Sequence, residues 1–206
     1  MKSPSNYQQD IAAIRSTMER SVKFLSLSGL SGILAGIYAL IGASIAYYLL
    51  YYPGNPYGIL YESEIAPGTK LQLIIIALIV LLLAISTAYI MSLRKAKKAG
   101  ISLWSSASKH MQVNMLIPLA SGGLFIIILF MQGYFALLVP ACLIFYGLSL
   151  IHASQFTFGE IRYLGFTEVI IGIVCTLLPA YGLIFWALGF GLMHIIYGSV
   201  MYYRHD

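Results

Sequence analysis

Hydrophobic positions in this chain come in long unbroken runs, and polar residues collect where the runs end. The cleanest run, residues 71–93, is 23 residues without a charge, long enough to cross a bilayer as a helix with some tilt. An earlier run, about 24–52, stops at Pro53, Gly54 and Pro56, because proline removes a backbone donor and clashes with the preceding turn. Residues 110–159 carry no Asp, Glu, Lys or Arg. At roughly 1.5 Å per residue this stretch holds two crossings, predicted at about 113–131 and 135–153 around a turn at Gln132-Gly133. Pro118 and Pro140 fall inside them as potential kinks. The last runs, about 161–178 and 183–203, meet at Pro179-Ala180-Tyr181-Gly182. The pattern predicts an all-α polytopic integral membrane protein. Its six transmembrane helices are arranged as three antiparallel hairpins in a single bundle over 24–206.

Residues 1–23 read differently. Ser5 and Gln8 have capping-box spacing, and Tyr7, Ile11, Ile14, Met18 and Val22 then recur every three or four positions. This predicts an amphipathic N-terminal helix, with Asp10 in its first turn and Glu19 spaced to pair with Lys23. It would lie on the membrane or under the bundle, or dock a partner. The polar lead is too long and too acidic, and the apolar run too long, for a secretory signal.

Composition strengthens the membrane reading. The chain has 206 residues, of which 60% are hydrophobic and 9% charged, where a soluble domain has about 25% charged. With six spans, Lys2, Arg15, Arg20, Lys23, Arg94, Lys95, Lys97, Lys98, Lys109, Arg162 and Arg204 fall on one side, and only Lys70 on the other. Such asymmetry makes the basic side cytoplasmic, with both termini there, in a cytoplasmic (inner or plasma) membrane. It also reads the Arg94–Lys98 run as an orientation signal and not as a nucleic-acid site. Tyr47, Tyr48, Tyr51 and Tyr52 suit an aromatic belt at the opposite interface, and Trp104 an anchor at the basic one. Expected partners are the lipid bilayer, a second copy of the chain and a cytoplasmic protein.

Small residues mark where helices approach. Ser28, Gly32 and Gly36 form a stripe in the first span, including a GxxxG better used within the molecule than between copies. Gly165 and Gly172 flank Glu168, and Gly191 and Gly198 flank His194, at helical spacing. The fourth and sixth spans share a Tyr-Gly pair, Tyr146-Gly147 and Tyr197-Gly198, a short likeness that suggests repeated hairpins.

Candidate chemistry is sparse. Glu168 is the one formal charge between Arg162 and Arg204, and His194 the one histidine. Each lies 13 residues from Tyr181, so folding the hairpin there brings them level. An ionisable group at membrane depth points to function, and Glu168 with His194 is the candidate intramembrane polar site. His152, Tyr146 and Tyr197 are secondary candidates, and Glu160, Arg162 and Arg204 read as structural charges at the basic interface. Nucleophile-elbow, HExxH, phosphate-loop and dinucleotide motifs are lacking on any suitable element, so no catalytic residue is assigned. Cys142 and Cys175 lie singly in apolar runs, and His152 and His194 differ in depth. Neither metal nor haem is therefore expected, and no cofactor. The function classes left open are a small transporter or channel using the Glu/His site, and a non-transporting scaffold or sensor that binds a cytoplasmic partner through the N-terminal helix and basic loop.

Overall fold

A computed structural model describes residues 26–51, 67–100, 102 and 104–206. The amphipathic segment 1–23 and most of the 53–69 loop lie outside the described residues. The elements are α1 (Gly29–Tyr51), α2 (Pro67–Lys98), α3 (Ser106–Met131), α4 (Leu138–Ala153), α5 (Glu160–Leu177), α6 (Gly182–Trp186) and α7 (His194–His205). Single 3-10 turns lead into α4 and α6 (Phe135–Leu137 and Pro179–Tyr181), and a third, Ser154–Phe156, follows α4. A π-helical segment, Ala187–Met193, joins α6 to α7 without a break. The described residues contain no strand.

Five helices are long and apolar enough to cross a membrane, counting Pro179–His205 as one. The remaining helix, α5, has 18 residues and carries Glu160, Arg162 and Glu168. Local chemistry sets several boundaries. The Ser105 hydroxyl accepts from the Ser108 N–H and caps α3, satisfying a donor that the first turn cannot pair internally. That cap starts α3 at Ser106 instead of near 113, taking Lys109 and His110 into the helix. Gly133, at φ +81°, makes the left-handed step after α3. Pro118 lies inside α3. Pro140, expected to kink its span, is the third residue of α4, where the missing N–H has no partner to lose. The basic run does not form a loop: Lys95, Lys97 and Lys98 occupy the last turn of α2, where cations oppose the helix dipole.

Packing neighbours run in the order α2, α1, α7, α5, α4, α3. Glycines set the tightest crossings. A Cβ on Gly198 would lie 2.7 Å from Ile33 N and 2.9 Å from Gly29 O. One on Gly36 would lie 2.6 Å from Gly191 O. The stripe of α1 is thus spent within the chain, against α7 and the π segment. At the edge, α2 leaves Leu71, Leu78, Leu82 and Ile85 exposed, an outward surface suited to lipid.

The basic ends of four helices are tied together. Lys95 of α2 donates to Asp206 Oδ1 at 2.5 Å and to Leu27 O at 3.0 Å. Asp206 Oδ2 accepts from the Ser28 hydroxyl at 2.7 Å and lies 3.5 Å from Leu30 N, at the start of α1. Glu160, opening α5, accepts from Arg204 Nη1 at 3.0 Å and His205 Nε2 at 3.2 Å. The His205 ring stacks on Phe158 at 4.1 Å between centroids.

Candidate functional site

Glu168 sits midway along α5 on the face it shares with Gly165 and Gly172, and its side chain is 0% exposed. These glycines do not face His194. They admit α4: a Cβ on Gly165 would lie 2.7 Å from Gly147 O, and one on Gly172 2.7 Å from an Ile144 methylene. Gly191 and Gly198 likewise meet α1, not α5. The glycine facing Glu168 is Gly189, where an added Cβ would lie 2.6 Å from Oε2 and 2.6 Å from Leu143 Cδ2. Leu143 and Cys175, both fully buried, belong to the apolar cluster on this side.

His194 begins α7, where the π segment returns to α-helix. Its Nδ1 lies 3.0 Å from Gly189 O and 3.4 Å from Glu168 Oε1, and its Nε2 is 2.8 Å from the Tyr146 hydroxyl. A neutral ring protonated at Nδ1 satisfies both nitrogens: it donates to the Gly189 carbonyl and accepts from Tyr146. Phe190 closes one side, with its ring centroid 5.3 Å from Tyr146 and 6.0 Å from His194.

Glu168 has no such provision. Among the described residues neither carboxyl oxygen has a hydrogen-bond partner, an arrangement that costs free energy in an apolar interior. The carboxyl is held beside an imidazole whose own hydrogen bonds are already made.

The secondary candidates separate. Tyr146 joins the pair. Tyr197 contacts Thr167, one residue before Glu168, at 3.2 Å between oxygens. Thr167 donates to Tyr163 O at 2.9 Å, so the Tyr197 hydroxyl donates to Thr167. The two Tyr-Gly pairs thus act alike: each glycine sits at a helix crossing while the preceding tyrosine reaches across to another helix. His152 is exposed in the last turn of α4, apart from the pair. Arg162 is exposed over the Phe166 ring, 5.5 Å from its centroid.

Around Glu160, partial burial pushes its carboxyl up, but hydrogen bonds from its backbone, Arg204 and His205 outweigh that and hold it below the usual range. Burial likewise pushes Asp206 up, and the Lys95 and Ser28 bonds with the Lys95 charge bring it below. No three His, Cys, Asp or Glu side chains converge as a metal-ligand set among the described residues.

Sequence reasoning did not find Gly189, Thr167 or the Lys95–Asp206 contact. Gly189 stands two residues before Gly191, outside the four-residue stripe, and the π segment makes it matter. No family model, curated protein or solved structure matches this chain. Fold and site define an all-helical bundle with helices apolar enough for a membrane and a buried carboxyl–imidazole–phenol cluster.

Proposed function

We propose that the chain is a polytopic protein of the cytoplasmic membrane, with six spans as three antiparallel hairpins and both termini cytoplasmic. In this reading it is a small transporter or channel in which protonation of Glu168, beside His194 and Tyr146, gates or drives passage of a proton or small cation. The observation that carries the reading is a carboxyl at 0% side-chain exposure, 3.4 Å from His194 Nδ1, whose oxygens accept no hydrogen bond among the described residues. A carboxyl kept only for packing is expected to be hydrogen-bonded, and one held without partners at membrane depth is positioned to exchange a proton.

A second reading, a non-transporting sensor or scaffold for a cytoplasmic partner, draws on the exposed Arg94, Lys97 and Lys98 at the end of α2. Proteoliposomes separate the two. The transport reading expects Glu168→Gln to abolish pH-dependent flux of a proton or monovalent cation while unfolding near the wild-type temperature. Wild-type vesicles without flux under any imposed gradient, together with a stable Glu168→Gln protein and a destabilised Glu168→Leu protein, leave the scaffold reading standing.

A further inference from the structure

Between α5 and α7, at the basic end, lies an open groove of about 380 Å³, within the size range of small-ligand sites. Its walls are Tyr163, Ile196, Tyr197 and Val200, and its mouth is Glu160 and Arg204. Gly159 leaves the rim open: a Cβ there would meet nothing within 4 Å. From Arg204 to Ile196 is eight residues along the π segment's following helix, roughly 12 Å of depth. The mouth is polar and paired in sign, with Arg204 Nη1 3.0 Å from Glu160 Oε1, and the Arg204 side chain is 66% exposed. The body is apolar, and Tyr163 is 64% exposed along it.

We propose that this groove binds one phospholipid with a primary-amine zwitterionic headgroup, phosphatidylethanolamine in class. The charge pattern selects the occupant. A guanidinium has N–H groups beyond the one given to Glu160, and these suit the phosphate oxygens. The Glu160 carboxylate, kept ionised by its neighbours, suits an ammonium that can donate hydrogen bonds. A trimethylammonium headgroup has no N–H to donate, and a glycerol headgroup brings no positive charge. The acyl chain then follows Tyr163 and Val200 near the mouth and Ile196 further inward. Tyr197 lines the groove, and its hydroxyl meets Thr167 next to Glu168, so a bound lipid abuts the helix carrying the candidate site.

The inference rests on the membrane reading but not on the proton chemistry of Glu168. The test uses the full chain in vesicles of phosphatidylcholine with equal minor fractions of phosphatidylethanolamine and phosphatidylglycerol. Each minor lipid is supplied in turn with a photoactivatable acyl chain. The expected result is cross-linking to peptides containing Tyr163, Ile196 or Val200, with roughly fivefold preference for phosphatidylethanolamine, a difference of about 1 kcal/mol. Glu160→Gln should reduce that preference to the phosphatidylglycerol level, and Val200→Trp should block labelling by both. Equal labelling by phosphatidylglycerol, or labelling spread evenly over α2 and α3, overturns the proposal. If Val200→Trp fails to fold, the wild-type labelling map still decides. A chain that does not co-float with vesicles overturns the membrane reading, whereas one that floats without headgroup preference overturns the groove assignment alone.

Discussion

Gly147 and Gly165 stand in each other's way. A Cβ on Gly147 would lie 2.6 Å from Gly165 O, and one on Gly165 would lie 2.7 Å from Gly147 O. Neither obstacle is a flexible side chain, so the α4–α5 crossing must open to accept a methyl group. Gly147→Ala and Gly165→Ala should each destabilise the protein by about 1–3 kcal/mol. Gly123→Ala, with nothing within 4 Å of its added Cβ, should be neutral or raise stability by up to about 1 kcal/mol. Thermal unfolding in one detergent compares the three, and equal losses would rule out close approach as the cause.

Tyr146→Phe removes the hydroxyl that His194 Nε2 faces at 2.8 Å. The His194 side chain is 8% exposed, so its nitrogen loses a partner that water cannot readily replace. A loss of about 1–3 kcal/mol is expected, with an altered pH profile of any flux. Tyr197→Phe should cost less, because Thr167 keeps its bond to Tyr163 O. Matched unfolding curves for the two variants would contradict this ranking.

Asp206 makes the basic end sensitive to acid. Burial pushes its carboxyl up, but the Lys95 and Ser28 hydrogen bonds and the Lys95 charge hold the folded group below the usual aspartate range, so its stabilisation is fully present above the unfolded value and is lost as pH falls through the folded one. Asp206→Asn should lower stability by about 1 kcal/mol near neutral pH. The gap from wild type should close below about pH 4. Unfolding temperatures from pH 7 to pH 3 check the sign, and a gap that widens in acid would contradict it.

Single cysteines test orientation. Gln132 lies in the turn after α3, and Ser102 lies before it, at the opposite end. In a background where Cys142 and Cys175 are serine, Gln132→Cys should react with an impermeant maleimide added outside intact cells. Ser102→Cys should react only after permeabilisation. The reverse pattern would invert the proposed topology.

The helices were legible because uncharged runs and their proline or glycine breaks are one-dimensional signals. The approach of Glu168 to His194 was legible for the same reason: equal distances from Tyr181 fix equal depth on adjacent helices. Partner choice was not legible. Periodicity shows that Gly165 and Gly172 share a face with Glu168, but not which helix fills it, and the answer is α4. The Asp206 carboxylate turns to Lys95 and Ser28 and not to the Arg162 side of the bundle end. That choice depends on how α2 and α1 converge, which no spacing encodes. Glu160 does meet Arg204, because short reach between two adjacent helix ends leaves few alternatives. The N-terminal helix lies outside the described residues, and its amphipathic reading still rests on sequence.

The π-helical segment Ala187–Met193 fixes where His194 points. A π-bulge amounts to one residue inserted into an α-helix, and one residue turns everything beyond it by roughly 100°. In an unbroken α-helix started at Gly182, the imidazole would face a different neighbour, and Gly198 would turn away from α1. The aim of the buried site and the fit of the last helix against the first therefore share one surplus residue. Removing that residue would not shorten the span so much as rotate it, uncoupling both contacts at once.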